Sequence, residues 1–367
     1  MATINQEFQV KSLFLVVIIF CMTTISSAVE QLQTVYDGTV LTEDCSWSGS
    51  ILVRRSVVVA PQATLRIEPG TVVRFAVSAA EQAPNLVVQG RLHVAGTPEH
   101  PVLFTSERAR PPRGSWGGIV FLATEKRNLL EHSRIESAQI GVDVRFSTVA
   151  LTSVTIVGAQ TGILVHDGVV QVTGGSVSES ETGIEAGHSE FDGRDITVES
   201  CQRAFVCTYS GLVLTSPRML NNGQSGLDAT ECRLRITGGE FAGNMLGARV
   251  TGGEGQIALS RFLKNRQTAL HLNGSRIKIQ RCLFSENLQD GVRVEDDRSL
   301  LLNNAFVSNG GFHLYNAGRQ TADARQNWWG TDNLTLIRKK IRDTAVDAAA
   351  GTVQIFPWLS EKPLLIP

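Results

Sequence analysis

Acidic and basic side chains recur along the middle of this sequence at nearly constant intervals. Glu185 and Asp228 supply carboxylates, and Arg249, His271, Arg293 and His313 follow at steps of 20 to 22 residues. Two carboxylates held up to ~9.5 Å apart are the equipment of a glycoside hydrolase. Several acids around one point would instead hold calcium through oxygen at ~2.4 Å. Alternating Arg and His would suit an acidic glycan, because a guanidinium grips a carboxylate in a bidentate clamp. Which chemistry is open depends on how the chain stacks these residues.

The stacking is legible from an internal repeat. A small residue recurs at Gly141, Gly162, Gly183, Ala204, Gly226, Gly247, Ala269, Gly291 and Gly311. An apolar column keeps the same period, running Ile156, Val177, Val198, Met219, Phe241, Phe262, Phe284, Phe306 and then Trp328. A third column, three residues later, reads Asn222, Asn244, Asn265, Asn287 and Asn309. Self-similarity at a fixed period marks a repeat architecture. The segments inside each unit are short and alternate with period two, as in Ile163-Leu164-Val165, which is the strand signature. Three strands and three turns fill 21–22 residues. The expectation is all-β: one right-handed parallel β-helix whose coils stack at the ordinary strand spacing of ~4.8 Å. The Phe column becomes an internal aromatic stack, and the Asn column a ladder of amides that both donate and accept. Cys201 occupies the ladder position before Asn222, and Cys207 an inward strand position. Only Pro217 lies between Arg113 and Phe356, as expected where each strand donates to a neighbour.

In this frame Leu164, Glu185, Val206, Asp228, Arg249, His271, Arg293 and His313 form one outward row. Glu185 and Asp228, two coils apart, would stand ~9.6 Å from each other. That sits at the upper limit for an inverting carboxylate pair and is too far to share a calcium ion, so the two are weak catalytic candidates. Arg249, His271, Arg293 and His313 are the candidate ligand contacts, against the plainer reading of a solvated, self-neutralising sheet face. Arg235, Gln256 and Lys278 form a similar second row. Asp296-Asp297, His166-Asp167 and His188 fall in turns. There is no CxxC, and no cofactor or metal site is expected.

Both ends depart from the repeat. Leu13–Met22 is an apolar run after Lys11, followed by Ser26-Ser27-Ala28, the pattern of a secretory signal peptide cleaved after residue 28. The run is too short to span a membrane. Glu107–Ser115 is rich in Pro and Arg and is expected to protrude. Leu334, Ile337, Ile341 and Ala345 share one helical face, which predicts an amphipathic helix over 334–350, capped by Asn333 or Asp332, followed by a strand in "VQIF". The expected organisation is a signal peptide over 1–28, the β-helix over 29–331 and a C-terminal cap over 332–367. Such caps shield the open edges of a stack, and a monomer is expected. Five cysteines would remain after cleavage. Cys207 and Cys232 are 25 apart, a spacing that neither requires nor forbids a bridge. Lys and Arg number 34 against 35 Asp and Glu, and aromatics make up 6%. That balance argues against nucleic-acid binding.

"LRIEPGTVVRF", "GRLHVAGTPEHPVLFTS", "GSWGGIVF" and "NWWGT" followed by "GTVQIFPWL" together resemble the secreted bacterial right-handed parallel β-helix proteins of the pectin-lyase-like superfamily. The resemblance implies an extracytoplasmic protein associated with polysaccharide. Lyases of that superfamily hold calcium on stacked carboxylates, and its hydrolases use clustered Asp with a GHG element that is missing here. "NGS" at Asn273 and "NLT" at Asn333 match glycosylation acceptors, which the bacterial context discounts. The function expected is therefore non-catalytic binding of polysaccharide on an outer sheet face. The rivals are a lyase or glycoside hydrolase of the superfamily, and a structural or partner-binding envelope protein.

Overall fold

The computed structural model describes residues 33–77, 83–296 and 298–363. The expected signal peptide and Asp297 lie outside the described residues. The chain winds through three parallel sheets in strict rotation. Sheet A has 13 strands, from Thr34–Asp37 to Ala305–Val307, and sheets B and C have 14 each. Sheet B runs from Val40–Leu41 to Ile341–Arg342, and sheet C from Cys45–Trp47 to Val353–Gln354. Every strand pairs with the strand one coil away, so the backbone groups of one coil are satisfied by the next.

The columns read from the sequence face their own kind. In sheet A, Ile156, Val177, Val198 and Met219 pair in order, followed by Phe241, Phe262, Phe284 and Phe306. The four Phe rings stack at 4.8, 5.0 and 5.0 Å between centroids, the spacing of the strands that carry them. The stack ends on Trp329 at 4.8 Å and not on Trp328, which is only half-buried. Trp328 instead bridges to Ala305, one residue earlier than the period predicts.

The Asn ladder closes the corner between sheets A and B. The Nδ2 groups of Asn222, Asn244, Asn265 and Asn287 each donate to the next Oδ1, at 2.8, 3.3, 2.9 and 2.8 Å. Each Oδ1 also accepts the backbone N–H of the preceding rung. Cys201 heads the ladder, its N–H donating to Asn222. A second ladder, at the corner between sheets C and A, was not read from the sequence. Cys282 N–H donates to Asn304 Oδ1, and Asn304 donates to Asn327. Its earlier rung is Ser260, which accepts from Gly239 N–H, so no run of Asn advertises it. Cys207 and Cys232 form a disulfide between adjacent coils. Cys207 points inward from sheet B, and Cys232 sits at the next corner. The three-residue offset from the repeat is the step from strand to corner.

The close is shorter than the periodicity predicts. The helix covers only Leu334–Lys339, with Asn333 as its cap. Leu334 and Leu336 are exposed, and Ile337 is the buried contact. Ile341 leaves the helix to pair with Leu314 at the end of sheet B, because the unpaired edge there offers hydrogen bonds that a longer helix would forgo. The 107–115 loop is exposed but tied down. Arg113 donates to the carbonyl of Glu179, and Ser137 to that of Pro111.

Candidate functional site

The outer face of sheet B carries the predicted row, with one correction. Pairing runs Leu164, Glu185, Val206, Asp228, Arg249, His271, Arg293 and then Tyr315 and Arg342. His313 is not in it. The 22-residue step of the preceding coils continues unbroken here, so His313, and not Gly311 two residues earlier, falls opposite Gly291 in the small-residue column. His313 is buried, with Nδ1 3.2 Å from Asn309 Nδ2. Burial, reinforced by the nearby Lys340 charge, pushes its pKa down to about 4. It is the end-stop of the Asn ladder and faces no ligand.

Glu185 and Asp228 are kept apart by Val206. Asp228 is committed locally, accepting from Ser225 Oγ at 2.6 Å and standing 3.8 Å from Arg249 Nη1. Glu185 makes no ion pair among the described residues. The structure therefore does not bring this pair together. Earlier in the same row Asp143 is buried and gripped at both oxygens by Arg145. Among the described residues no three His, Cys, Asp or Glu side chains are grouped to hold a metal ion.

The C-terminal half of the row is where charge and aromatic surface converge. Arg249, Arg293 and Arg342 occupy every second coil, with His271 and Tyr315 between them. The Tyr315 ring lies between two guanidinium groups, 4.9 Å from that of Arg293 and 4.6 Å from that of Arg342, a cation–π geometry on both faces. Arg293 is held at 2.6 Å by Glu295, and Arg342 stands 3.5 Å from Asp347. His271 Nε2 is 3.4 Å from the same Glu295. Burial lowers the His271 pKa, the Arg293 and Arg249 charges add to the shift, and Glu295 opposes it. The shift favours the neutral ring between two arginines, with Nε2 buried on the Glu295 side, so Nδ1 is the nitrogen left to hydrogen-bond a ligand. Tyr315 was missed from the sequence because Gly311 imitates the small-residue column two residues early, and Arg342 because the last step is longer than the period.

With the geometry in hand, the comparisons place the chain. A family model described as a pectate-lyase-like β-helix domain matches residues 39–143, and one for the right-handed β-helix region matches 186–328. The chain is a right-handed parallel β-helix protein of the pectin-lyase-like superfamily. Among solved structures it is similar to the A-module of the mannuronan C-5 epimerase AlgE6 of Azotobacter vinelandii. That match has 10% identity, a TM-score of 0.41, and covers 92% of each chain. It is also similar to a variant of the periplasmic alginate epimerase AlgG, at 10% identity and TM-score 0.41, covering 89% of this chain and 76% of that one. The pectate lyase Pel9A matches at 11% identity and TM-score 0.28, covering 83% of this chain and 71% of that one. At these identities the likeness is one of fold. No curated relative matches the sequence.

Proposed function

We propose that this protein is an extracytoplasmic polysaccharide-binding β-helix that holds an acidic glycan along the outer face of sheet B without cleaving it. One observation carries the reading: arginines at every second coil, Arg249, Arg293 and Arg342, with a neutral His271 and Tyr315 between them. The arginines stand ~9.6 Å apart along the axis. A linear polyuronate whose successive sugars face opposite sides would turn every second carboxylate to the sheet, and so meet a cation, a neutral hydrogen-bonding group and a cation in turn. Each guanidinium already has an acidic neighbour, so binding exchanges partners and is expected to weaken as salt screens the charges. The monomeric state, the signal peptide and the absence of a nucleic-acid partner belong to the same proposal. Among the described residues no helix is long and apolar enough to cross a membrane.

A second reading, a lyase or epimerase, draws on His271 alone. A base that abstracts a proton must be neutral, and this one is held so. Its acid partner would have to be Tyr315, two coils away at ~9.6 Å. Both groups would need to come within ~3 Å of one sugar ring, which that separation opposes. The test is a binding isotherm for polygalacturonate and alginate, run beside a continuous ultraviolet assay for unsaturated ends. Binding reduced in Arg249→Ala/Arg293→Ala, with flat absorbance, supports the proposal. Absorbance that rises with the wild type and not with His271→Ala overturns it in favour of lyase chemistry. Equal binding by the double variant overturns the sheet B assignment.

A further inference from the structure

Sheet C carries a second surface of a different character. Three adjoining depressions run along it and share residues. The first contains Tyr209, Gly211 and Arg233, the second Gly211, Arg235 and Arg276, and the third Arg276 and Arg298. Two rows of side chains line this trough. Strand pairing gives the outer row as Glu190, Gly211, Arg233, Glu254 and Arg276. The inner row is Val213, Arg235, Gln256, Lys278 and Leu300.

Two glycines open the floor. At Gly211 a Cβ would lie within bonding distance of the Glu190 carboxylate, and at Gly255, with φ at +143°, a Cβ would meet the Leu234 carbonyl at 2.0 Å. The backbone at Gly255 thus adopts a conformation open to glycine alone among the common residues, and the strand draws inward there.

The charges differ from those of sheet B. There every arginine in the row has an acidic neighbour. In the trough Arg233 is paired with Glu190 at 2.6 Å. Arg235, Arg276, Lys278 and Arg298 have no ion pair or side-chain hydrogen bond among the described residues. Arg276 and Arg298 share their depression with Glu231, Glu254 and Asp296, whereas Arg235 and Lys278 have no acid in their row between Val213 and Leu300, and a polyanion would stabilise these unpaired cations. Their spacing is informative. Each row presents a cation, then Glu254 or Gln256, then a cation, so positive charge recurs at ~9.6 Å with a hydrogen-bonding group between. Exposed Val213 and Leu300 bracket the inner row, giving apolar surface beside the charges.

The end nearest residue 209 carries a platform. Tyr209 is 60% exposed and stacks on His188 at 5.3 Å and 11°. The left-handed backbone at Tyr209 recurs at this corner in neighbouring coils, at Phe146, Asp167 and His188, so it is the exposed ring that distinguishes the position. An aromatic ring in water at the end of the trough is suited to the apolar face of a pyranose.

We propose that the sheet C trough is a second binding site, separate from the sheet B face, for an acidic polysaccharide laid along the axis over four strand steps, ~19 Å.

The experiment uses three variants of the full chain: Arg235→Ala/Lys278→Ala and Arg276→Ala/Arg298→Ala in the trough, and Arg249→Ala/Arg293→Ala on sheet B. Each is titrated with polygalacturonate, dextran sulfate, neutral dextran and a DNA duplex, and melted in parallel. Added to the sheet B variant, each trough pair is expected to weaken binding of polygalacturonate or dextran sulfate about tenfold, or worse, through lost charge-assisted hydrogen bonds. Melting is expected to be unchanged, and half of the bound polymer should survive in the sheet B variant. Tyr209→Ala is expected to weaken polygalacturonate and leave dextran sulfate less affected. Unchanged affinity in both combined variants overturns the site, as does neutral dextran binding as well as the charged polymers. A duplex that binds more tightly than either glycan overturns the ligand class. Trough binding that persists when sheet B is silent separates failure of the first reading from failure of this one.

Discussion

Removing the amide of Asn265 should unfasten the corner between sheets A and B, and its cost follows from the bonds it makes. Asn265 Oδ1 accepts from the N–H and the side-chain amide of Asn244, at 3.1 and 3.3 Å. Its Nδ2 donates to Phe241 O at 3.0 Å and to Asn287 Oδ1 at 2.9 Å. All are buried, so water cannot replace the lost partner. In Asn265→Ala the Asn244 N–H and one amide hydrogen are stranded, along with the Phe241 carbonyl. Asn287 Oδ1 keeps the Asn265 backbone N–H. Stranded buried groups cost ~1–3 kcal/mol each, so a loss of about 3–9 kcal/mol is expected. Asn265→Ser should recover about half. The protein already uses serine in such rungs, with Ser210 Oγ accepting from Ser189 N–H at 3.0 Å and Ser180 Oγ accepting from Ala159 N–H at 3.3 Å. Urea unfolding gives the free energy. Because stacked coils do not always unfold as one unit, hydrogen exchange at the Asn244 amide should be followed beside it. Wild-type stability and unchanged protection in Asn265→Ala would refute the view that the ladder holds the corner.

Four further outcomes are expected. Phe284→Ala, which breaks a stack contacted at 5.0 Å on both sides, should cost about 3–5 kcal/mol in urea titrations, and Phe284→Leu much less. Reducing Cys207–Cys232, which closes a loop of 25 residues, should lower stability by about 3 kcal/mol. Alkylation mass spectrometry of the unfolded chain should find this pair blocked and Cys201 and Cys282 free. His313 and His271 both have folded pKa values below the free value, His313 at about 4. The unfolded chain therefore binds the extra proton first, and stability should fall as pH drops from about 6.5 to about 4, by up to ~1.4 kcal/mol per unit for His313. His313→Gln should flatten most of that slope in melts across this window. Trp329→Ala should lower the melting temperature more than Trp328→Ala, because only Trp329 caps the Phe stack.

Much of this fold could be read without coordinates, for a simple reason. In a parallel stack, residues one period apart meet one another, so a column in the sequence is a column in space. Phe241 to Phe306 and Asn222 to Asn309 are legible on that ground. So is the outward row from Glu185 to Arg293, since alternation fixes which side chains leave the core. Legibility fails where a residue imitates a column or the step changes. Gly311 mimics the small-residue column two residues early and hides that the unbroken step puts Tyr315 in the row and His313 inside, whereas a step one residue longer exchanges Trp328 for Trp329. The ladder through Cys282, Asn304 and Asn327 is hidden because cysteine and serine serve as its earlier rungs.

What the sequence determined by itself was the solenoid, its repeat, its core columns and the candidate face, because each depends on local alternation and a constant step. What only the tertiary structure decided was which charges are spent on one another. Glu295 holds Arg293, Asp228 stands against Arg249, and Arg235 and Arg276 are left facing an open trough. Ion pairing depends on side-chain reach between coils and on where glycine lets the backbone sink. Neither is written in the order of the residues.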